Sequence, residues 1–110
     1  MTNAADHITE REFQSTVVEL ARAFGWVIHG VLEQHQYAKR LSKGFPDLVL
    51  ARYKPDYIIG RLIFAELKSQ TGRVSAGQQA WLEILRISQC HPEVYIWRPS
   101  DLDEIERVLR

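Results

Sequence analysis

Two apolar runs interrupted by charge constrain this chain more than any other feature. Between Gly44 and Lys68 the sequence reads GFPDLVLARYKPDYIIGRLIFAELK. Asp47 opens Leu48-Val49-Leu50, and Glu66 and Lys68 close Arg61-Leu62-Ile63-Phe64-Ala65. Short runs rich in branched and aromatic residues read as buried strands. Residues two apart on a strand share a face. Phe64, Glu66 and Lys68 are therefore expected on one face, with Ala65 and Leu67 on the other. An unpaired buried charge is costly, so the pattern has two readings. One is a structural ion pair, Glu66–Lys68 or Asp47–Lys68, which stabilises little. The other is a site that holds a divalent cation beside a polyanion. These residues alone fit both.

The chain around this stretch narrows the choice. With 110 residues, 45% of them apolar and 25% charged, it fits one globular domain over 1–110 with a modest core, residues 1–8 forming a frayed end. No apolar run approaches the roughly 20 residues of a spanning helix, so no membrane role is expected. The polar, acidic start MTNAADHITERE is unlike a signal or transit peptide. A single cysteine, Cys90, excludes an internal disulfide and a Cys-rich zinc site; it reads as an inert, part-buried thiol in a cytoplasmic protein. The formal net charge is zero, but the distribution is uneven. Residues 32–73 hold eight Lys/Arg against four acids, and the flanks are net acidic. Positive charge gathered in one segment suits a phosphate backbone. Lys39, Arg40, Lys43 and Arg73 are the candidate contacts.

In chain order, Thr9 and Glu12 have the spacing of a capping box, and a helix is expected from there to about Phe24, ended by Gly25. Phe13, Val17, Leu20, Ala21 and Phe24 recur at helical spacing on one side. Glu10 and Gln14 fall on that inward side; Glu12, Ser15, Glu19 and Arg22 fall on the other. Trp26–Val31 reads as a short strand, and residues 32–43 as a long loop with a basic end. Tyr53-Lys54-Pro55-Asp56 reads as a turn between the Asp47 strand and an antiparallel Ile58–Lys68 strand. Ser75 caps a second helix running to about Gln89, followed by the strand Glu93–Trp97. Pro99 breaks that strand, and Ser100 or Asp101 caps a last helix. The order is α-β-β-β-α-β-α, with a right-handed parallel crossover between residues 58 and 98.

Glu10, Asp47 and Glu66 supply three carboxylates, hard oxygen donors suited to Mg²⁺ or Mn²⁺. Such an ion acidifies a bound water and offsets charge on a scissile phosphate. Lys68, two residues from Glu66 on the same face, is placed to orient the attacking water or to stabilise the transition state. Other chemistry finds less support. His7, His29, His35 and His91 have no zinc spacing, and His29 reads as a packed strand residue. No Gly-rich phosphate loop is present, so no nucleotide cofactor is expected. Ser75 is a helix cap, and Trp81 and Trp97 read as core.

Pro46-Asp47 followed by Glu66-Leu67-Lys68 resembles the PD-(D/E)xK nuclease signature. Gly44-Phe45-Pro46-Asp47-Leu48-Val49, Phe64-Ala65-Glu66-Leu67-Lys68, Gly72-Arg73-Val74-Ser75, Gln78 and Trp81 follow in order and are similar to the VRR-NUC branch, the virus-type replication-repair nucleases. Thr9-Glu10 with Phe13-Gln14, and Val94-Tyr95-Ile96-Trp97, extend the likeness over nearly the whole chain, as in small stand-alone phage or bacterial members. The resemblance implies a restriction-endonuclease-like α/β core, a central mixed sheet flanked by helices. It implies metal-dependent phosphodiester hydrolysis in DNA, with branched DNA as the preferred substrate and a homodimer supplying two sites. By the same match Glu10, Asp47, Glu66 and the Leu67 carbonyl are metal ligands and Lys68 is the catalytic lysine. Gln14 and Gln78 line the site. The alternative is a nucleic-acid-binding module on the same fold without catalysis.

Overall fold

Thr9 starts the first helix by accepting the Glu12 N–H on its hydroxyl at 3.1 Å, and the hydroxyl itself donates to the Glu12 carboxylate at 2.9 Å. The helix, α1 (Glu10–Ala23), buries Phe13, Val17 and Ala21, the apolar stripe expected from the sequence. Gly25 then takes a left-handed φ of 83°, and the Trp26 N–H still reaches back to the Ala21 carbonyl. The first strand consequently begins one residue later than expected.

The computed structural model describes residues 4–30, 43–54 and 59–110. After α1 come β1 (Val27–Gly30), β2 (Leu48–Lys54), β3 (Ile59–Leu67), α2 (Ala76–Arg86), β4 (Glu93–Trp97) and α3 (Leu102–Leu109). This is the α-β-β-β-α-β-α order. One 3-10 turn, Ala4–His7, stands where a frayed end is expected, and Ile8 packs on the core. Another, Pro99–Asp101, precedes α3. Tyr53 and Lys54 remain strand rather than turn, and Val31 and 55–58 lie outside the described residues. α2 stops at Arg86, short of Gln89, with Ile87 as its C-cap.

The strands form one mixed sheet in the order β1-β2-β3-β4. β1 with β2 and β2 with β3 pair antiparallel; β3 and β4 are parallel, joined through α2. Leu48 pairs with Ala65 and Leu50 with Ile63, so these four share a face, and Leu67 and Trp97 extend it. That face is fully buried under Phe13, Val17 and Ala21 of α1 and Ile105 and Leu109 of α3. The opposite face carries Val49, Phe64 and Glu66. There Phe45 bridges Phe64 and Trp81 of α2 edge to face, with centroids 5.9 and 5.1 Å apart. A mixed sheet with helices on both faces is the restriction-endonuclease-like arrangement expected.

The last helix is fastened at its C-terminal end, where backbone carbonyls lack helical partners. The Leu109 carbonyl accepts from Trp26 Nε1 at 2.8 Å and from Arg52 Nη1 at 2.7 Å. The Val108 carbonyl accepts from Arg61 Nη1 at 2.9 Å. Arg61 also forms a two-pronged pair with Glu93, at 2.8 and 2.7 Å. Both guanidinium groups lie over the Trp26 ring. Arg52 and Arg61, counted above among the basic cluster, thus belong to the helix-packed face of the sheet.

Three single-residue expectations change. Trp97 is core, stacked on Tyr95, but Trp81 is 36% exposed because α2 turns it toward the rim beside Phe45. His29 is exposed on edge strand β1 rather than packed, and Cys90 is exposed rather than part-buried.

Candidate metal centre

The turn into β2 sets the first carboxylate. Gly44 has φ 84°, and a Cβ there would sit 2.8 Å from the backbone of Gly77 in α2. Only glycine lets this turn lie so close to that helix. Pro46 is buried behind it. Asp47 follows, one residue beyond the Leu48–Ala65 pair and therefore level with Glu66. Its Oδ2 accepts the Leu67 N–H at 2.9 Å, which fixes the carboxylate across the end of the hairpin.

Glu66 comes from β3, on the face toward α2, and is 1% exposed. Gln78 holds it from that side: its Nε2 donates to Glu66 Oε1 at 3.2 Å. The same Gln78 closes the capping box of α2. Its amide oxygen accepts the Ser75 N–H at 2.9 Å, and its own N–H donates to the Ser75 hydroxyl at 3.1 Å. Because the oxygen is used by the cap, the NH₂ must face Glu66. Glu10, the first residue of α1, brings the third carboxylate from across the sheet's end. One oxygen from each of Glu10, Asp47 and Glu66 lies within 4.8 Å of the other two.

Electrostatics make this cluster unstable without a proton or a cation. Burial, then a hydrogen bond and the charge of Asp47, push the Glu66 carboxyl up to about 9; Lys68 opposes the shift and Glu10 adds to it. Glu66 Oε2 is buried without a donor. Its neighbour Asp47 is another acid, so the two can share a hydrogen bond only while one proton remains between them. A buried oxygen without a donor, two further carboxylates within reach, and only oxygen donors together fit a hard divalent cation. Glu10, Asp47 and Glu66 are the residues that would hold it.

Lys68 stands just past β3, its N–H bonded to the Trp97 carbonyl at 3.0 Å. It is partly buried and, among the described residues, its ammonium has no ion-pair partner within 4 Å. Gln14, one turn after Glu10, has its Oε1 buried without a partner. Lys43 and Arg73 are exposed on the segments that lead into Gly44 and Ser75, while Lys39 and Arg40 lie outside the described residues.

Sequence reasoning missed the residue that fixes the loop after Lys68. Arg98 Nη1 donates to the carbonyls of Ser69, Gln70 and Gly72 at 2.8, 3.3 and 2.7 Å. Asp101 stands at the expected N-cap position of α3, but its carboxylate accepts the Arg98 N–H at 2.8 Å rather than a helix N–H. Gln70 and Ser100 exchange two further hydrogen bonds. No local pattern announces such a clamp, since its acceptors are backbone carbonyls nearly thirty residues away.

The family model described as the VRR-NUC domain matches residues 7–96, from the turn before α1 into β4. The Fanconi-associated nuclease 1 homolog of Arabidopsis thaliana is 37% identical over 59 residues. That stretch covers 54% of this chain and 7% of the plant protein, so the chain spans a small part of the relative's length. No solved structure matches.

Proposed function

The chain belongs to the VRR-NUC family, and from that premise we propose that it is a Mg²⁺- or Mn²⁺-dependent nuclease hydrolysing phosphodiester bonds in DNA. The observation that carries the reading is the meeting of Glu10, Asp47 and Glu66 oxygens within 4.8 Å beside Lys68. The Leu67 carbonyl is proposed as a further ligand. When bound, the cation supplies charge that offsets negative charge on the scissile phosphate and makes a water more acidic.

The protein's own residues do the rest. The Leu67 N–H and Gln78 hold Asp47 and Glu66 still, so the carboxylates need no rearrangement to bind. Lys68, with its ammonium unpaired among the described residues, is placed to donate to a phosphate oxygen. Gln14 lines the approach. Lys43 and Arg73, with Lys39 and Arg40, are proposed to contact DNA phosphates. The proposal extends to endonucleolytic cutting of branched DNA by a homodimer in the cytoplasm. Among the described residues no helix is long and apolar enough to cross a membrane.

A cleavage panel with Mg²⁺ or Mn²⁺ on linear duplex, single-stranded, flapped and four-way-junction DNA tests the reading. Asp47→Asn keeps an oxygen for the Leu67 N–H and removes the charge. We expect it to lower turnover by about 100-fold or more. Lys68→Ala should lower turnover more than affinity, since one phosphate contact is a small part of binding. Full activity in Asp47→Asn, with an unchanged melting temperature, would refute the site.

A further inference from the structure

Next to the carboxylate cluster a cleft of about 420 Å³ opens between α1 and edge strand β1. Glu10 belongs both to its lining and to the carboxylate cluster, so the cleft adjoins the candidate metal centre. Arg11, Ser15, Val18 and Arg22 line it from α1. They recur at intervals of four, three and four residues and so share one helix face. Arg11 and Arg22 stand about 16 Å apart along the axis at 1.5 Å per residue. Both are exposed, and neither has a hydrogen-bond or ion-pair partner among the described residues. Between them the floor is apolar, formed by Val18 with Ile28 and Leu48. Gln14, one turn after Glu10, belongs to the same lining.

We propose that this cleft binds an unpaired stretch of the DNA strand adjoining the scissile phosphate. The proposal rests on the nuclease reading above and names where the strand lies. Two partner-free arginines about 16 Å apart suit phosphates a few nucleotides apart along one strand. Phosphates alone need no apolar floor, whereas an unpaired base has a face to lay on Val18 and Ile28. Bases within a duplex keep their faces stacked and out of reach, so the lining favours single-stranded DNA over paired DNA.

The test is fluorescence anisotropy with labelled blunt duplex and the same duplex carrying a short single-stranded tail. Ca²⁺ replaces the catalytic ion so that binding is read without cleavage. The parent protein should bind the tailed duplex several-fold more tightly. Arg11→Ala and Arg22→Ala should each reduce the salt slope on tailed DNA by about one unit and leave blunt-duplex binding nearly unchanged. Arg22→Lys should restore most of the slope. Equal weakening on both substrates would overturn the proposal, marking the arginines as general duplex contacts, and so would no weakening on either. Cleavage measured in parallel with Mg²⁺ separates the two levels. Active protein with unaltered tail preference in the double variant refutes the cleft alone, whereas no binding or cleavage of any DNA refutes the nuclease reading as well.

Discussion

Glu66 carries the strongest conflict among the described residues: a carboxyl pushed up to about 9 by burial and by Asp47, directly after the apolar run Leu62, Ile63, Phe64 and Ala65 of its strand. The sign of its effect on stability follows from proton counting. Below the ordinary carboxylate range, folded and unfolded chains both keep the proton. Between about 4.5 and 9 the unfolded chain releases it and the folded chain holds it, so stability falls as pH rises through that window. A divalent cation can take the proton's place and stabilises only the folded form. Cation-free protein is therefore expected to melt at lower temperature at pH 8 than at pH 6. Added Mn²⁺ should recover most of the loss at pH 8, and Glu66→Gln should flatten the dependence. Melting curves over pH, with and without Mn²⁺, check this. A Glu66→Gln variant with the parent's full pH slope would place the titration elsewhere.

At the scale of elements, the phase of α1 separates two acids. Glu10 and Glu12 are about 200° apart around the helix. Glu10 joins the carboxylate cluster, whereas Glu12 is exposed and bonded to Thr9. Glu10→Gln should weaken Mg²⁺-dependent cleavage strongly. Glu12→Gln should leave it nearly unchanged and cost at most about 1 kcal/mol of stability, as lost caps do. Parallel Mg²⁺ titrations of cleavage decide; an inactive Glu12→Gln would reverse the helix phase. This phase was legible because Phe13, Val17 and Ala21 repeat at helical spacing and define the inside. The turn at Gly44 offers a second comparison, against Gly25. Both have left-handed φ, but a Cβ meets nothing within 4 Å at Gly25 and the Gly77 backbone at 2.8 Å at Gly44. Gly25→Ala should cost about 1–2 kcal/mol and spare cleavage. Gly44→Ala should cost more and also lower turnover, because relieving the clash moves the turn that carries Asp47. Equal losses in the two variants would mean that only backbone conformation matters. Gly25 is legible in the sequence as a helix stop, but nothing local in the sequence shows the approach of Gly44 to α2.

Across the whole molecule, charge divides by sheet face, and a count along the chain conceals that division. Arg52 and Arg61 fall in the basic segment, yet alternation already links Arg52 to Leu50 and Leu48, and Arg61 to Ile63 and Ala65. The signal was in the sequence: residues two apart share a face, and that face is the buried one. What the sequence did not reveal is their use. They bind the last carbonyls of α3, a helix whose place over Trp26 depends on long-range packing. Arg73 is the contrasting case, exposed on the loop that Arg98 holds by three carbonyls. Two substitutions that remove the same charge should therefore act on different properties. Arg61→Ala loses the Glu93 pair and the Val108 carbonyl bond and should cost about 1–3 kcal/mol of stability, the range for hydrogen bonds to charged groups. Its salt slope for DNA should match the parent's. Arg73→Ala should leave the melting temperature within a degree or so and reduce the salt slope by about one unit. Measuring both properties on both variants tests the division directly. A reduced slope in Arg61→Ala at full folding would mean that nucleic acid reaches the end of α3 beside Glu93, and that the surface proposed for DNA around the carboxylates and along the α1 cleft is drawn too small.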